Sequence, residues 1–99
     1  MIRLEHVLFK NDALVFENSQ VHAVALCGDD YEPFVEVTFD APVVGIWSPY
    51  KENCPFVCIE PWYGRCDSVD FAGELSEKEW MNSLEVGEEK AYGYTITIE

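Results

Sequence analysis

One carboxylate in this sequence has neighbours suited to chemistry on a small polar molecule. Glu60 lies within residues 55–64, PFVCIEPWYG, after an apolar run and before Pro61, where we expect the strand to stop. Trp62 and Tyr63 follow at once. A carboxylate can exchange a proton with a substrate, and flat aromatic faces provide apolar walls. The pattern is typical of a site for a sugar or small polyol. The alternative is that Glu60 only marks the point at which the strand emerges into water.

Other candidate groups have structural explanations as well. Asp12 follows Asn11 just before an apolar run, which is a common position for a turn residue. The sequence contains only two histidines. His22 shares its predicted strand face with Val24 and Leu26, which favours a structural role. His6 can also have a structural role. Several aromatic residues either stack on a sugar or pack in the core, and the sequence does not separate these roles: Trp47, Tyr50, Trp62 and Tyr63.

The cysteines do not form a metal-binding pattern. Cys54 and Cys58 are close in sequence, but no second pair or nearby histidine completes a zinc set. The other two cysteines are Cys27 and Cys66. Because the first residues contain no long apolar segment, we expect no signal peptide. We therefore predict a cytoplasmic protein with reduced thiols, a buried Cys58, no disulfide framework, no metal ion and no other cofactor.

The charge excludes some classes of partner. The 99 residues include 6 Lys and Arg against 19 Asp and Glu, which gives a formal net charge of −13. Nucleic acids and anionic membranes are bound through basic side chains, so we predict binding to neither. No apolar run approaches the length of a membrane span. An apolar content of 48% favours a folded chain.

Short strands separated by turns account for most of the sequence. Residues 34–40 alternate, with Val35, Val37 and Phe39 on one predicted face, which is typical of a half-buried antiparallel strand. The tail alternates in the same way, and Ser76 with Glu79 has the spacing of a capping box for one helical turn. No long segment has helical periodicity. We predict an all-β fold, an antiparallel β-sandwich, with further strands over residues 13–16, 21–26, 43–47 and 55–60.

The order of several motifs resembles the aldose 1-epimerase (galactose mutarotase-like) family. The matching segments are LFKNDALVF at residues 8–16, GIWS at residues 45–48 and PFVCIEPWYG at residues 55–64, followed by Asp67. The ending, with GEL at residues 73–75 and a final strand to Ile98, is also similar. The resemblance covers almost the whole chain but only the C-terminal part of the family's longer members. It implies that residues 1–99 form a single β-sandwich domain, or a fragment of the family's large antiparallel supersandwich.

The resemblance also implies a reaction, the interconversion of the α and β anomers of a free aldohexose. Glu60 in Cys58-Ile59-Glu60 matches the family's general base, which removes the proton of the C1 hydroxyl. Asp12, in an Asp-x-x-x-Phe segment that ends at Phe16, matches a residue that contacts sugar hydroxyls. Trp62 is expected to line the same site and to contact the substrate.

The family's acid is a histidine, assisted by a second histidine and an arginine, and all three come from the N-terminal half. Neither His6 nor His22 lies in a matching motif, so we expect half of the site in this chain. The alternatives are a carbohydrate-binding module without catalysis and an oligomerising β domain. Exposed strand edges and an exposed apolar face lead us to expect either a homo-oligomer or association with the missing N-terminal half.

Overall fold

The computed structural model describes all 99 residues, Met1–Glu99, and confirms the all-β prediction. Six strands form two antiparallel three-stranded sheets, and the only helices are 3₁₀ turns at His6–Phe9 and Leu75–Glu77. The strands are β1 (Leu14–Phe16), β2 (Ala23–Cys27), β3 (Pro33–Phe39), β4 (Val43–Trp47), β5 (Cys58–Trp62) and β6 (Tyr94–Ile98).

Sheet A has the strand order β1-β4-β5, so β4 is central. Gly45 is the middle of β4 and is paired with Val15 on one side and with Glu60 on the other. Because side chains alternate along a strand, Val15 and Glu60 lie on one face of the sheet. Their neighbours, including Val44 and Ile59, lie on the opposite face. That second face packs into the core.

Sheet B has the order β2-β3-β6 and supplies the other side of the core. Val37 and Phe39 of β3 are buried, as the alternation of that strand predicted, and they cluster with Ala41 and Val44. Side chains from both sheets pack against this cluster, among them Phe16, Val24 and Ile59. The two sheets therefore share one small hydrophobic core.

The prediction that Pro61 stops its strand is wrong. β5 continues to Trp62, and Pro61 is paired with Val44. β5 is an edge strand of sheet A, and proline is tolerated at an edge because its missing N–H removes no bond from the interior of the sheet. As a result Trp62 stays on the same strand face as Glu60, two residues away.

Two smaller expectations also need correction. The predicted helical turn exists but begins at Leu75, and its N-cap Glu74 makes no side-chain capping bond, so the capping box is absent. Cys58 is only half-buried, because it lies on the same outward strand face as Glu60 rather than in the core. All four cysteines are free thiols.

The outer strand of sheet B leaves apolar side chains uncovered. Tyr94, Ile96 and Ile98 of β6 are paired with Phe39, Val37 and Val35 of β3. They therefore extend the inward face of the sheet, yet they are between 55% and 79% exposed. We call these three side chains the β6 apolar strip. No helix in the structure is long and apolar enough to span a bilayer.

Candidate functional site

An open cleft of about 820 Å³ lies on the outward face of sheet A. This volume falls within the range of roughly 300–1,000 Å³ that is usual for small-molecule sites. All three strands of the sheet and the loops that flank them contribute to it. The residues that line this cleft, hereafter the Glu60 cleft, are Asp12, Ala13, Val15, Trp47, Glu60, Trp62, Gly64, Arg65 and Cys66.

The structure brings the three sequence-predicted site residues together. Asp12 precedes β1, whereas Glu60 and Trp62 belong to β5, and all of them line the Glu60 cleft. β1 and β5 are the two edges of sheet A, so Asp12 and the pair Glu60 and Trp62 come to the cleft from opposite sides of β4. The cleft thus combines two carboxylates with indole faces, which can accept hydrogen bonds from hydroxyl groups and cover an apolar ring face.

A side chain of the same strand, β5, holds the Glu60 carboxylate in place. The indole Nε1–H of Trp62 donates a hydrogen bond to Glu60 Oε2 over 3.1 Å. Glu60 Oε1 makes no hydrogen bond within the chain, although the side chain is half-buried. The geometry leaves one oxygen occupied and the other available to a ligand.

Gly45 allows the Trp62 ring to lie across the central strand. A Cβ atom at Gly45 would stand 2.5 Å from Trp62 Cζ2 and 3.0 Å from Cε2 and Cη2. Real Cβ atoms are not found at the first of these distances, so the indole occupies the space that any side chain would need. At this point Trp62, and not Gly45, lines the cleft.

Asp12 is fixed in a tight turn between the first 3₁₀ helix and β1. Its backbone N–H donates to Phe9 O, and its Oδ1 accepts a hydrogen bond of 2.8 Å from the Ala13 N–H. Its φ of 80° lies in the left-handed region, which Asp adopts more readily than most residues because its short side chain bonds to local backbone. The turn explanation is therefore correct, and the same turn places Asp12 at the cleft.

Arg65 is a cleft residue that the sequence did not identify. It lies in the loop after β5, its Cζ is 5.9 Å from the centre of the Trp62 ring, and it forms an ion pair with Glu17 at the end of β1. That distance is within the range of a cation–π contact. The partner Glu17 is 48 residues away in sequence, so no local pattern could have revealed the pair. Gly45 was noted only within its motif, and its role depends on a ring from another strand.

Neither histidine lines the Glu60 cleft. His6 packs against Tyr50, with ring centres 5.6 Å apart, beside a smaller depression of about 460 Å³. His22 lies at sheet B, where its Nδ1 is 3.3 Å from Phe39 O. No group of three His, Cys, Asp or Glu side chains is arranged to hold a metal ion.

No protein-family model matches this chain. Two curated relatives, the plasmid and the chromosomal protein LacX of Lactococcus lactis subsp. lactis, are each 27% identical over 96 residues, or 96% of this chain and 32% of the relative. The X-ray structure of a galactose mutarotase related enzyme from Lactobacillus acidophilus is 42% identical and superposes with a TM-score of 0.83. That match covers 99% of this chain and 33% of the other. The chain spans about one third of the length of these relatives.

Proposed function

We propose that this chain, which is related to the galactose mutarotase-like family over almost its whole length, binds a free monosaccharide in the Glu60 cleft and contributes the general base for its anomeric interconversion. The observation that carries the proposal is the convergence of Glu60, Asp12 and Trp62 on one cleft. These residues come from two separate sequence motifs, each of which resembles a functional segment of the family.

The proposed reaction uses the unbonded oxygen of Glu60. Oε1 accepts the proton of the C1 hydroxyl while the bond between C1 and the ring oxygen breaks, and a proton donor protonates the ring oxygen. The resulting open-chain aldehyde rotates about its C1–C2 bond. The ring oxygen then adds to the other face of the carbonyl, with both proton transfers reversed, so the net change is inversion at C1 alone.

We propose that the proton donor comes from outside this chain. Neither histidine lines the cleft, and the family resemblance implies a histidine from a part of the architecture that this chain does not span. A second copy of the chain or a polypeptide equivalent to the remaining two thirds of the relatives is the proposed partner. The β6 apolar strip supplies an uncovered surface for it.

A second candidate function is sugar binding without catalysis. The absence of a histidine from the cleft favours it, since a single positioned proton-transfer group is typically worth about 10²–10⁴-fold in rate. Titration of the isotope-labelled chain with glucose or galactose tests the binding that both functions share. We expect the amide and indole resonances of Trp62 and the amide of Asp12 to shift. No shift at either residue at high sugar concentration would exclude both functions for this cleft.

Polarimetry separates the two candidates. A freshly dissolved α-anomer changes its rotation spontaneously, and Glu60 as a base should accelerate that change even while water, rather than the partner's proton donor, protonates the ring oxygen. Binding with no acceleration would favour the sugar-binding module. We also propose a cytoplasmic location, which the four free thiols support because a reducing compartment preserves them.

A further inference from the structure

We propose that Trp62 is a positioning residue for Glu60, and that its indole N–H selects the carboxylate oxygen that acts on the sugar. This inference rests on the proposed function, because it concerns the same base. The sequence predicted that Trp62 lies beside Glu60 and lines the substrate site, but it indicated no contact between the two side chains. Its hydrogen bond to Glu60 Oε2, 3.1 Å long, gives it a second role that a wall does not need.

Without support, the Glu60 side chain would be free to adopt many conformations. The carboxylate of Glu60 stands at the end of a side chain with several rotatable bonds, on an edge strand where one flank has no neighbour. Fixing such a chain costs conformational entropy, which a substrate would otherwise have to offset on binding. The bond from Trp62 restrains the group beforehand. It also leaves Oε1 as the oxygen free to accept a proton.

The indole of Trp62 leans toward Glu60. Trp62 is paired with Val43, yet its six-membered ring lies over Gly45, which is the partner of Glu60. The side chain is thus displaced by two register positions toward the carboxylate. Only a residue without a Cβ permits this position. The space above Gly45 therefore allows the indole to lie where its N–H points toward Glu60.

The Trp62 ring is also covered on one face by Arg65. The guanidinium of Arg65 lies 5.9 Å from the ring centre and is anchored by Glu17 on the far edge of the sheet. Gly45, Arg65 and the carboxylate each constrain the same indole. The arrangement extends from β1 to β5 and fixes a base whose productive geometry tolerates little error, since a misplacement of about 1 Å can cost roughly 100-fold in rate.

Mutarotation kinetics of the chain test the inference through one substitution. Trp62→Phe keeps an aromatic face and removes the N–H donor. We expect kcat to fall about 10- to 100-fold with KM little changed, because the wall remains while the base is misplaced. Trp80→Phe is the matched control, since Trp80 lies outside the cleft, and it should leave both constants unchanged. A rise in KM with an unchanged kcat would overturn the inference and leave Trp62 as a wall only.

The Glu60→Gln variant shows which proposal has failed, the general base or the positioning role of Trp62. If Glu60→Gln retains the full rate, the proposed base is wrong. If Glu60→Gln is slow and Trp62→Phe is as fast as the unchanged chain, only the positioning role is wrong.

NMR spectroscopy tests whether the hydrogen bond between Trp62 and Glu60 exists, and it does not require catalytic turnover. The chain has three tryptophans, and their indole N–H resonances can be assigned from single Trp→Phe variants. Glu60→Ala should move the Trp62 indole proton upfield by more than the other two. An unmoved Trp62 resonance would overturn the inference, whether or not Trp62→Phe folds.

Discussion

Arg65 forms an ion pair with Glu17 that joins the two edges of sheet A across its central strand. Glu17 immediately follows β1, and Arg65 lies three residues after β5. Arg65 lines the Glu60 cleft, so the pair fixes one of the side chains of the cleft. It also holds the guanidinium beside the Trp62 ring, so a contact that looks like a surface salt bridge contributes to the shape of the site.

Arg65→Ala should change the free energy of unfolding by at most about 1 kcal/mol, because both partners are partly exposed and solvent screens their attraction. The loss should be smaller at high salt. Urea unfolding at two ionic strengths measures it. Arg3→Ala is the control, since its pair with Glu5 is more exposed and should contribute nothing measurable. A salt-independent loss of several kcal/mol would contradict this view of the pair.

Gly45→Ala should destabilise the fold by about 1–3 kcal/mol, the usual cost of an overpacked site, because the new methyl group meets the Trp62 ring. In a Trp62→Phe background the same change should cost much less, since the clashing atoms are gone. Gly93→Ala is the control, because a Cβ there meets nothing within 4 Å. Equal costs of Gly45→Ala in both backgrounds would show that the ring does not lie on Gly45. Chemical denaturation of the four proteins of the cycle gives the coupling energy.

Val44→Ala should lower the free energy of unfolding by about 1.5–3 kcal/mol, which is the usual contribution of a fully buried side chain of this kind. Val44 is completely buried and belongs to the core cluster that both sheets share. Val69→Ala removes the same two methyl groups from a residue that is 92% exposed and should be neutral. Thermal unfolding of both variants compares them. Similar melting temperatures for the two would contradict the position of the core.

The β6 apolar strip should drive association of the chain. We expect the apparent mass from light scattering to rise with protein concentration, or with addition of a polypeptide equivalent to the rest of the relatives' length. Ile96→Thr keeps a β-branched residue but reduces the apolar surface, so it should weaken association. Thr97→Ser, on the opposite face of the same strand, should not. A monomer at all concentrations that also fails to bind such a polypeptide would refute this role for the strip.

Local sequence patterns predicted the sheets well. The alternation of Val35, Val37 and Phe39 gave the buried face of β3, because a side-chain period of two is a local property. The same reasoning failed at Pro61. Whether a proline ends a strand depends on whether its missing N–H would face a neighbour, and the edge position of β5 is a property of the whole sheet.

The site was predicted only in part. Asp12, Glu60 and Trp62 were identified from motif resemblance, and they do share a cleft. The supporting residues were missed for a physical reason. Gly45 matters because of a ring on another strand, and Arg65 matters because of a carboxylate on the far edge of the sheet. Contacts of this kind are set by strand order, which no short stretch of sequence contains.

Polarimetry of Glu60→Gln tests the proposed base most directly. This substitution removes the charge and the basicity of the side chain at nearly constant size. Glu36→Gln is the matched control, because Glu36 also lies on a strand but in sheet B, outside the cleft. With fresh α-glucose or α-galactose, we expect Glu60→Gln to lose about 10²–10⁴-fold of the catalysed rate, while Glu36→Gln keeps it. Equal catalysed rates for Glu60→Gln and the unchanged chain would contradict the assignment of Glu60 as the base.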